Sequence, residues 1–243
     1  MLIEYGNTVV VPNWELSEEN PTGYSRIYYV TEGQVHYRAS DADCLLTPGR
    51  LYVLPSTIPY HVWRENEQDF GCTYLHVNFT KHRVNGLIEI PVEQETCLGT
   101  FVDTVRNAIR EERIGLLEQL TESISFFLQG SEHFVQNSAM LNTVQKYIVK
   151  HISEDLKIED MSQLFNYHPN YFIRLFRQET GYTPYQYVVH MRMQYAVVQL
   201  NRGMTNDEVC YTCGYTDSSA FTRAFRNYYG VAPQQYRKGY RKP

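Results

Sequence analysis

The chain of 243 residues is poor in cysteine and tryptophan and has no long apolar run. Nothing in it approaches the ~20 consecutive apolar residues of a membrane-spanning helix, so no membrane partner is expected. Its start, MLIEYGNTVVVPNWELSEE, shows no cationic leader. The five cysteines, Cys44, Cys72, Cys97, Cys210 and Cys213, are odd in number. Together these features lead to the expectation of a reducing, cytoplasmic setting. Cys210-x-x-Cys213 has no second pair at ligand spacing, and both thiols fall on the inward side of a short helical pattern, so they read as small core residues. No phosphate loop, paired-carboxylate motif or Ser-His-Asp pattern stands out. Catalytic residues, metal ligands and cofactors are therefore expected to be none.

Charge is present but unevenly placed. Of 22 Lys+Arg and 27 Asp+Glu, 13 basic and 8 acidic residues lie from Met140 onward, a net of +5, leaving 9 and 19 before it, a net of −10. An overall net of −5 thus hides a basic C-terminal part joined to an acidic N-terminal one. That split is expected when only the former meets phosphate.

The C-terminal part contains an internal repeat. NYHPNYFIRLFRQETGYTPYQYV and GYTDSSAFTRAFRNYYGVAPQQYR align so that Phe172 pairs with Phe221, Arg174 with Arg223, Phe176 with Phe225, Arg177 with Arg226, Gly181 with Gly230, Pro184 with Pro233 and Tyr187 with Tyr236. On a helical wheel Phe172 and Phe176 fall on one side, while Asn170, Ile173, Arg174 and Arg177 gather on the other. The second copy repeats the division, with Ser219, Thr222, Arg223 and Arg226 outward. A shorter apolar-periodic segment precedes each, Glu159 to Phe165 and Asn206 to Cys213, and a tight turn at Asn166-Tyr167 or Gly214-Tyr215 follows it. Helix, short turn and basic-faced helix predict two helix-turn-helix motifs, whose second helices can enter a DNA major groove. A segment from about Pro184 to Leu200 predicts a long connecting helix, with Arg192 amid Val188, Met191, Tyr195 and Val198 as a structural ion-pair partner.

On the run G-Y-x-D-x-S-x-F-x-R-x-F-R...G-x-x-P-x-x-Y-R at Gly214 to Arg237, and on Tyr187, Arg192, Ala196 and Leu200 between the copies, the chain resembles AraC/XylS-type transcription regulators. The resemblance implies base-contacting positions at Asn170, Ile173, Ser219 and Ala220, with Arg174, Arg177, Thr222, Arg223 and Arg226 beside them on the DNA-binding faces. Ser162 and Cys210 stand where the family usually has alanine. Ile173 stands where it often has a polar residue, and an apolar side chain there suits a thymine methyl.

Before the basic part, Arg26 to Phe79 reads as short strands: RIYYV and QVHYRA as a hairpin about Glu32-Gly33, DCLLTPGRLYVLP as two strands broken at Pro48-Gly49, and CTYLHVNF with Cys72, Tyr74, His76 and Asn78 on one face. Many short strands with Gly/Pro turns suggest a small barrel or jelly roll. TPGRLYVLP, Pro59-Tyr60-His61 and YLHVNF resemble the cupin-like sensor domain that often precedes the DNA-binding part. Small barrels can hold one small ligand, for which Arg26, Glu32, His61, Tyr74 and His76 are the candidates. A metal-binding cupin would show His-x-His and a downstream Glu, whereas His36, in VHY, stands alone ahead of His61 and His76.

The fold class expected is α+β with two domains: residues 1–97 a cupin-like β-barrel or jelly roll, 98–128 helical for dimerisation or packing, 129–137 a linker, and 138–243 all-α with a double helix-turn-helix. Val102, Val105 and Ile109 form one apolar stripe of the helical segment, and Leu117, Leu120, Ile124 and Phe127 another. The expected function is sequence-specific binding of double-stranded DNA, in transcription activation responding to a small-molecule effector such as a carbohydrate. A homodimer is the expected assembly, with RNA polymerase a further partner. The rival readings are a metal-dependent cupin enzyme and a constitutive regulator whose barrel only dimerises.

Overall fold

The computed structural model describes residues 1–10, 14–64 and 69–237. The chain divides into two compact units, residues 1–136 and residues from 137 onward. Residues 238–243, the end of the expected DNA-binding part, lie outside the described residues.

The first unit is built from strands β1 (Leu2–Val10), β2 (Glu15–Glu18), β3 (Ser25–Glu32), β4 (Val35–Ala39), β5 (Asp43–Leu46), β6 (Arg50–Val53), β7 (Tyr60–Trp63), β8 (Phe70–Val77), β9 (His82–Val84), β10 (Ile88–Pro91) and β11 (Phe134–Gln136). They form a five-stranded sheet in the order β1-β8-β3-β6-β10, a four-stranded sheet in the order β2-β7-β4-β5, and the pair β11-β9. All pairings are antiparallel.

Strands alternate their side chains between two faces, and here that rule builds two cores. Tyr28, Val30, Tyr52, Cys72 and Tyr74 of the larger sheet meet Leu16, Val35, Tyr37, Tyr60 and Val62 of the smaller in one buried cluster. The opposite face of the larger sheet, with Ile27, Leu51, Val53, Leu75 and Val77, packs on the helices α1 (Cys97–Arg110), α2 (Ile114–Ser123) and α3 (Ser125–Leu128). Strand β8 is consequently buried along its whole length.

Two sequence expectations are corrected here. RIYYV and QVHYRA do not pair as a hairpin: β3 lies between β6 and β8 in the larger sheet, and β4 lies between β5 and β7 in the smaller. The chain crosses between sheets at Gly33, whose φ is 65°. The expected linker 129–137 is not free of regular structure, because Phe134, Val135 and Gln136 pair with Val84, Arg83 and His82. Its polar composition concealed a short strand anchored by Phe134, whose ring stacks on His82 at 4.3 Å.

The second unit is helical: α4 (Ala139–Lys150), α5 (Ile158–Gln163), α6 (Pro169–Thr180), α7 (Pro184–Asn201), α8 (Asn206–Thr212), α9 (Ser218–Tyr229) and α10 (Pro233–Arg237). Side chains that accept from free backbone N–H groups define the starts: Ser138 for α4, Thr183 for α7, Thr205 for α8 and Asp217 for α9. Gly181 and Gly230 end α6 and α9 in the left-handed conformation, as helix stops commonly do. The repeat survives in three dimensions. Phe176 meets Tyr187 edge-on at 5.3 Å, and Phe225 meets Tyr236 edge-on at 5.5 Å. Helix α7 is buried on most of its surface because α4, α6, α8, α9 and α10 all pack on it.

Arg192 of α7 is corrected from ion-pair partner to backbone ligand. Its Nε donates to the Ile152 carbonyl at 3.2 Å and its Nη2 to the Glu154 carbonyl at 2.6 Å, groups in the turn after α4 that have no helical partner. Gly214 sits against this guanidinium: a Cβ there would lie 2.4 Å from Nη2 and 2.8 Å from the Ile152 carbonyl.

Candidate functional site

Two regions of the molecule are organised in ways that packing alone does not require. The first is the pair α6 and α9. Each buries two phenylalanines, Phe172 and Phe176 or Phe221 and Phe225, and each turns its arginines outward. Asn170, Arg174, Arg177, Ser219, Arg223 and Arg226 are exposed, and Ile173, Ala220 and Thr222 are half-buried beside them. Short helices and sharp turns hold both. In the first copy Asn166 adopts φ 55°, and in the second Gly214 adopts φ 74°. Asp217 accepts from the backbone N–H groups of Ser219 and Ala220 at 3.1 and 2.8 Å, and those bonds hold its carboxyl below the usual carboxylate range. The first copy uses His168 instead, a weaker acceptor, reached from the Asn170 N–H at 3.4 Å. Two outward basic faces of this kind can meet a polyanion, and their helical form fits a major groove.

The second region is one end of the space between the two sheets. Arg26 projects inward from β3 and is only 2% exposed. Its guanidinium donates to Glu18 Oε1 at 2.6 Å, to the Tyr24 hydroxyl at 3.0 Å, and to the Tyr60 hydroxyl. On β8, His76 Nδ1 lies 3.2 Å from Glu4 Oε2, both side chains being buried. The Tyr24 and Tyr74 rings lie against His76 at 5.5 and 5.3 Å. Gly6 makes room for the Tyr74 ring, which a Cβ at that position would approach to 2.8 Å. Burial lowers the His76 pKa below the usual histidine value, against the opposing pull of Glu4. Burial also pushes the Tyr60 hydroxyl up to about 12, although Arg26 opposes it. Among the described residues, Arg26 Nε and His76 Nε2 are buried with no hydrogen-bond partner, which is costly unless something else satisfies them.

Of the five barrel residues expected from sequence, Arg26, Tyr74 and His76 converge, and two do not. Glu32 is exposed at the end of β3. His61 faces outward from β7, its ring 4.6 Å from Trp63, while its neighbours Tyr60 and Val62 face in. His36 stacks on the other side of Trp63 at 4.4 Å, so these two histidines share the outer face and His76 lies inside. The residues that sequence reasoning missed are Glu4, Glu18, Tyr24 and Tyr60. Strand alternation through Pro59-Tyr60-His61 was the available signal, because Tyr60 has the parity of the inward Val62.

A β-sandwich with a buried polar cluster at one end of its core, followed by paired helix-turn-helix motifs, defines a ligand-binding DNA-binding transcription regulator. Comparison with known proteins agrees at both ends: residues 11–123 match the profile described as AraC-like ligand binding domain, and residues 161–239 match that described as helix-turn-helix domain. The Msm operon regulatory protein of Streptococcus mutans is 31% identical, over 87% of this chain and 83% of its own. The uncharacterized HTH-type regulator YisR of Bacillus subtilis is 34% identical, over 87% and 85% respectively. Among solved structures, ToxT of Vibrio cholerae bound to an unsaturated fatty acid has a TM-score of 0.68 at 12% identity, covering 97% of this chain and 95% of that one, a likeness of fold. The chain belongs to the AraC family of transcriptional regulators. Among the described residues, no helix is long and apolar enough to cross a membrane.

Proposed function

We propose that this regulator is a cytoplasmic homodimer that activates transcription with RNA polymerase when an uncharged polyhydroxy effector, a carbohydrate, occupies the interior of its N-terminal sandwich. The observation that carries the effector class is the engagement of Arg26 by Glu18 at 2.6 Å. A buried cation already neutralised is a poor receptor for a second carboxylate, whereas tyrosine hydroxyls and an imidazole can donate and accept, and the Glu4 carboxylate can accept, hydrogen bonds with sugar hydroxyls. The regulator RafR of Pediococcus pentosaceus, named for a raffinose operon, is 22% identical over 96% of this chain, which supports the same class. The enzyme reading is not favoured, and no catalytic step is assigned.

In this reading Arg26, Tyr74 and His76, with Tyr24, Tyr60, Glu4 and Glu18, contact the effector. Asn170, Ile173, Arg174, Arg177, Ser219, Ala220, Thr222, Arg223 and Arg226 contact DNA. Both amphipathic stripes of the helical segment are spent on the sheet, since Val102, Val105, Leu117 and Ile124 are buried there. Self-association therefore falls to the exposed apolar side chains Ile114, Leu116 and Phe126.

The test is selection of bound duplexes from a random pool at fixed salt, with and without sugars or fatty acids. Two enriched blocks about one helical turn apart, with enrichment changed by a sugar, support the proposal. A response to fatty acids alone overturns the effector class, and no enrichment from folded protein overturns the regulator reading.

A further inference from the structure

The two outward faces are alike in their arginines and unlike in everything between them. Asn170, Tyr171 and Ile173 of α6 stand where α9 has Ser219, Ala220 and Thr222. Tyr171 is 43% exposed on a helix whose other large aromatics are buried. It is also fixed in place. Phe172 in the core stacks with Phe165 at 6.0 Å, Phe165 with Tyr167 at 5.8 Å, and Tyr167 meets Tyr171 edge-on at 5.0 Å. The Arg174 guanidinium lies over the Tyr171 ring, 5.4 Å from its centroid. Such a contact holds a cation in one place by attraction to the ring face. At the matching position of α9, Ala220 offers Arg223 no ring at all.

On a helical wheel Tyr171 stands about 100° from Asn170, on the flank of the face. A guanidinium held to that flank is directed towards a groove wall, where phosphates are. With Arg174 drawn to that flank, the half-buried Ile173 is left on the other side of the face, beside Asn170. Isoleucine has nothing to donate or accept, and the one apolar feature of the major groove is the thymine C5-methyl. Asparagine pairs with adenine N6 and N7. The centre of α9, with Thr222 and an Arg223 that has alanine where Arg174 has the Tyr171 ring, has hydrogen-bonding groups suited to guanine O6 and N7.

We infer that the two recognition helices read DNA by different chemistry: α6 reads an A·T block through thymine methyls, with Tyr171 positioning Arg174 on phosphate, and α9 reads a guanine by hydrogen bonds from Arg223. The inference rests on the DNA-binding reading and assigns a base class to each half of its site.

The test uses the full chain and the duplex enriched from a random pool, with base analogues at each position. Deoxyuridine lacks the thymine methyl, and 7-deazaguanine lacks the N7 acceptor. Deoxyuridine in one block is expected to weaken wild-type binding about fourfold per contacted methyl, the factor that burial of one such group sets. Ile173→Ala should abolish that sensitivity, whereas Thr222→Ala should leave it, so that the pair identifies the block under α6. A 7-deazaguanine in the other block should weaken wild type and have no effect on Arg223→Ala. Reselection with Tyr171→Ala should admit guanine to the α6 block as Arg174 is released. Circular dichroism and melting confirm that each variant is folded. Indifference to deoxyuridine in both blocks, or sensitivity that survives Ile173→Ala, overturns the inference while leaving specific DNA binding intact. Absence of any specific duplex would sink both.

Discussion

At the scale of single residues, the chemistry of the sandwich interior depends on one charge and its partner. Glu18→Gln removes the carboxylate from the 2.6 Å pair and leaves the Arg26 guanidinium buried beside a neutral amide. The expected cost is about 2 kcal/mol. Both tryptophans, Trp14 and Trp63, lie in this unit, so urea titration followed by tryptophan fluorescence reports its unfolding alone. An unchanged midpoint would show that Glu18 is dispensable. Arg223→Ala should cost about 1–3 kcal/mol in specific binding where it reads a base. A uniform loss across unrelated sequences, measured by competition, would mark it instead as a phosphate contact. Parity along a strand was legible: Arg26, Tyr74 and His76 follow from alternation in β3 and β8. Glu32 shares the parity of Arg26, but the register shift after Val30 and its place at the end of β3 leave it exposed, whereas His61 has the parity opposite to the inward Tyr60 and Val62. Glu4 and Glu18 sit in strands whose polar residues mask the apolar alternation, so they gave no warning that they face inward.

At the scale of elements, capping and helix contacts can be tested one at a time. Thr183 begins α7 with a reciprocal pair of bonds to Gln186, and Thr183→Ala should lower the stability of the helical unit by about 1 kcal/mol. His190 of α7 is bonded to the Tyr228 hydroxyl of α9 at 2.9 Å, and burial pushes its pKa from the usual 6.5 to about 4. The unfolded chain therefore takes up a proton that the folded one refuses between those values. Stability from this group is complete above pH 6.5 and falls as pH drops towards 4, by up to about 3 kcal/mol. Hydrogen exchange at the α7 amides at pH 7 and pH 5 should show it, and His190→Gln should flatten the difference. The helix-turn-helix elements were readable because the repeat supplied two copies of the buried phenylalanine pair, the outward arginines and the glycine stop. The pairing of β3 was not, since a Gly-containing turn between two strands has the same local signature whether the strands pair or part into different sheets.

At the scale of the whole molecule, the charge division between residues before and after Met140 separates the unit that would meet phosphate from the unit that would meet a small molecule. Residues 134–136 belong to the first unit by pairing with β9, a contact between distant segments that no local composition could reveal. Phe126, 70% exposed on α3, is the most conspicuous apolar side chain of the helical layer. Phe126→Glu should shift a dimer to monomer in sedimentation velocity without changing the fold, and a variant that sediments as wild type would remove this surface from the interface. Strand β8 joins the two cores of the first unit, with Tyr74 and His76 among the polar interior groups and Leu75 and Val77 seated under the helices. A strand rigidly hydrogen-bonded on both edges cannot adjust one face and spare the other. It behaves as a plank, and whatever load the interior places on it is delivered within one residue's rise, about 3.4 Å, to the opposite side.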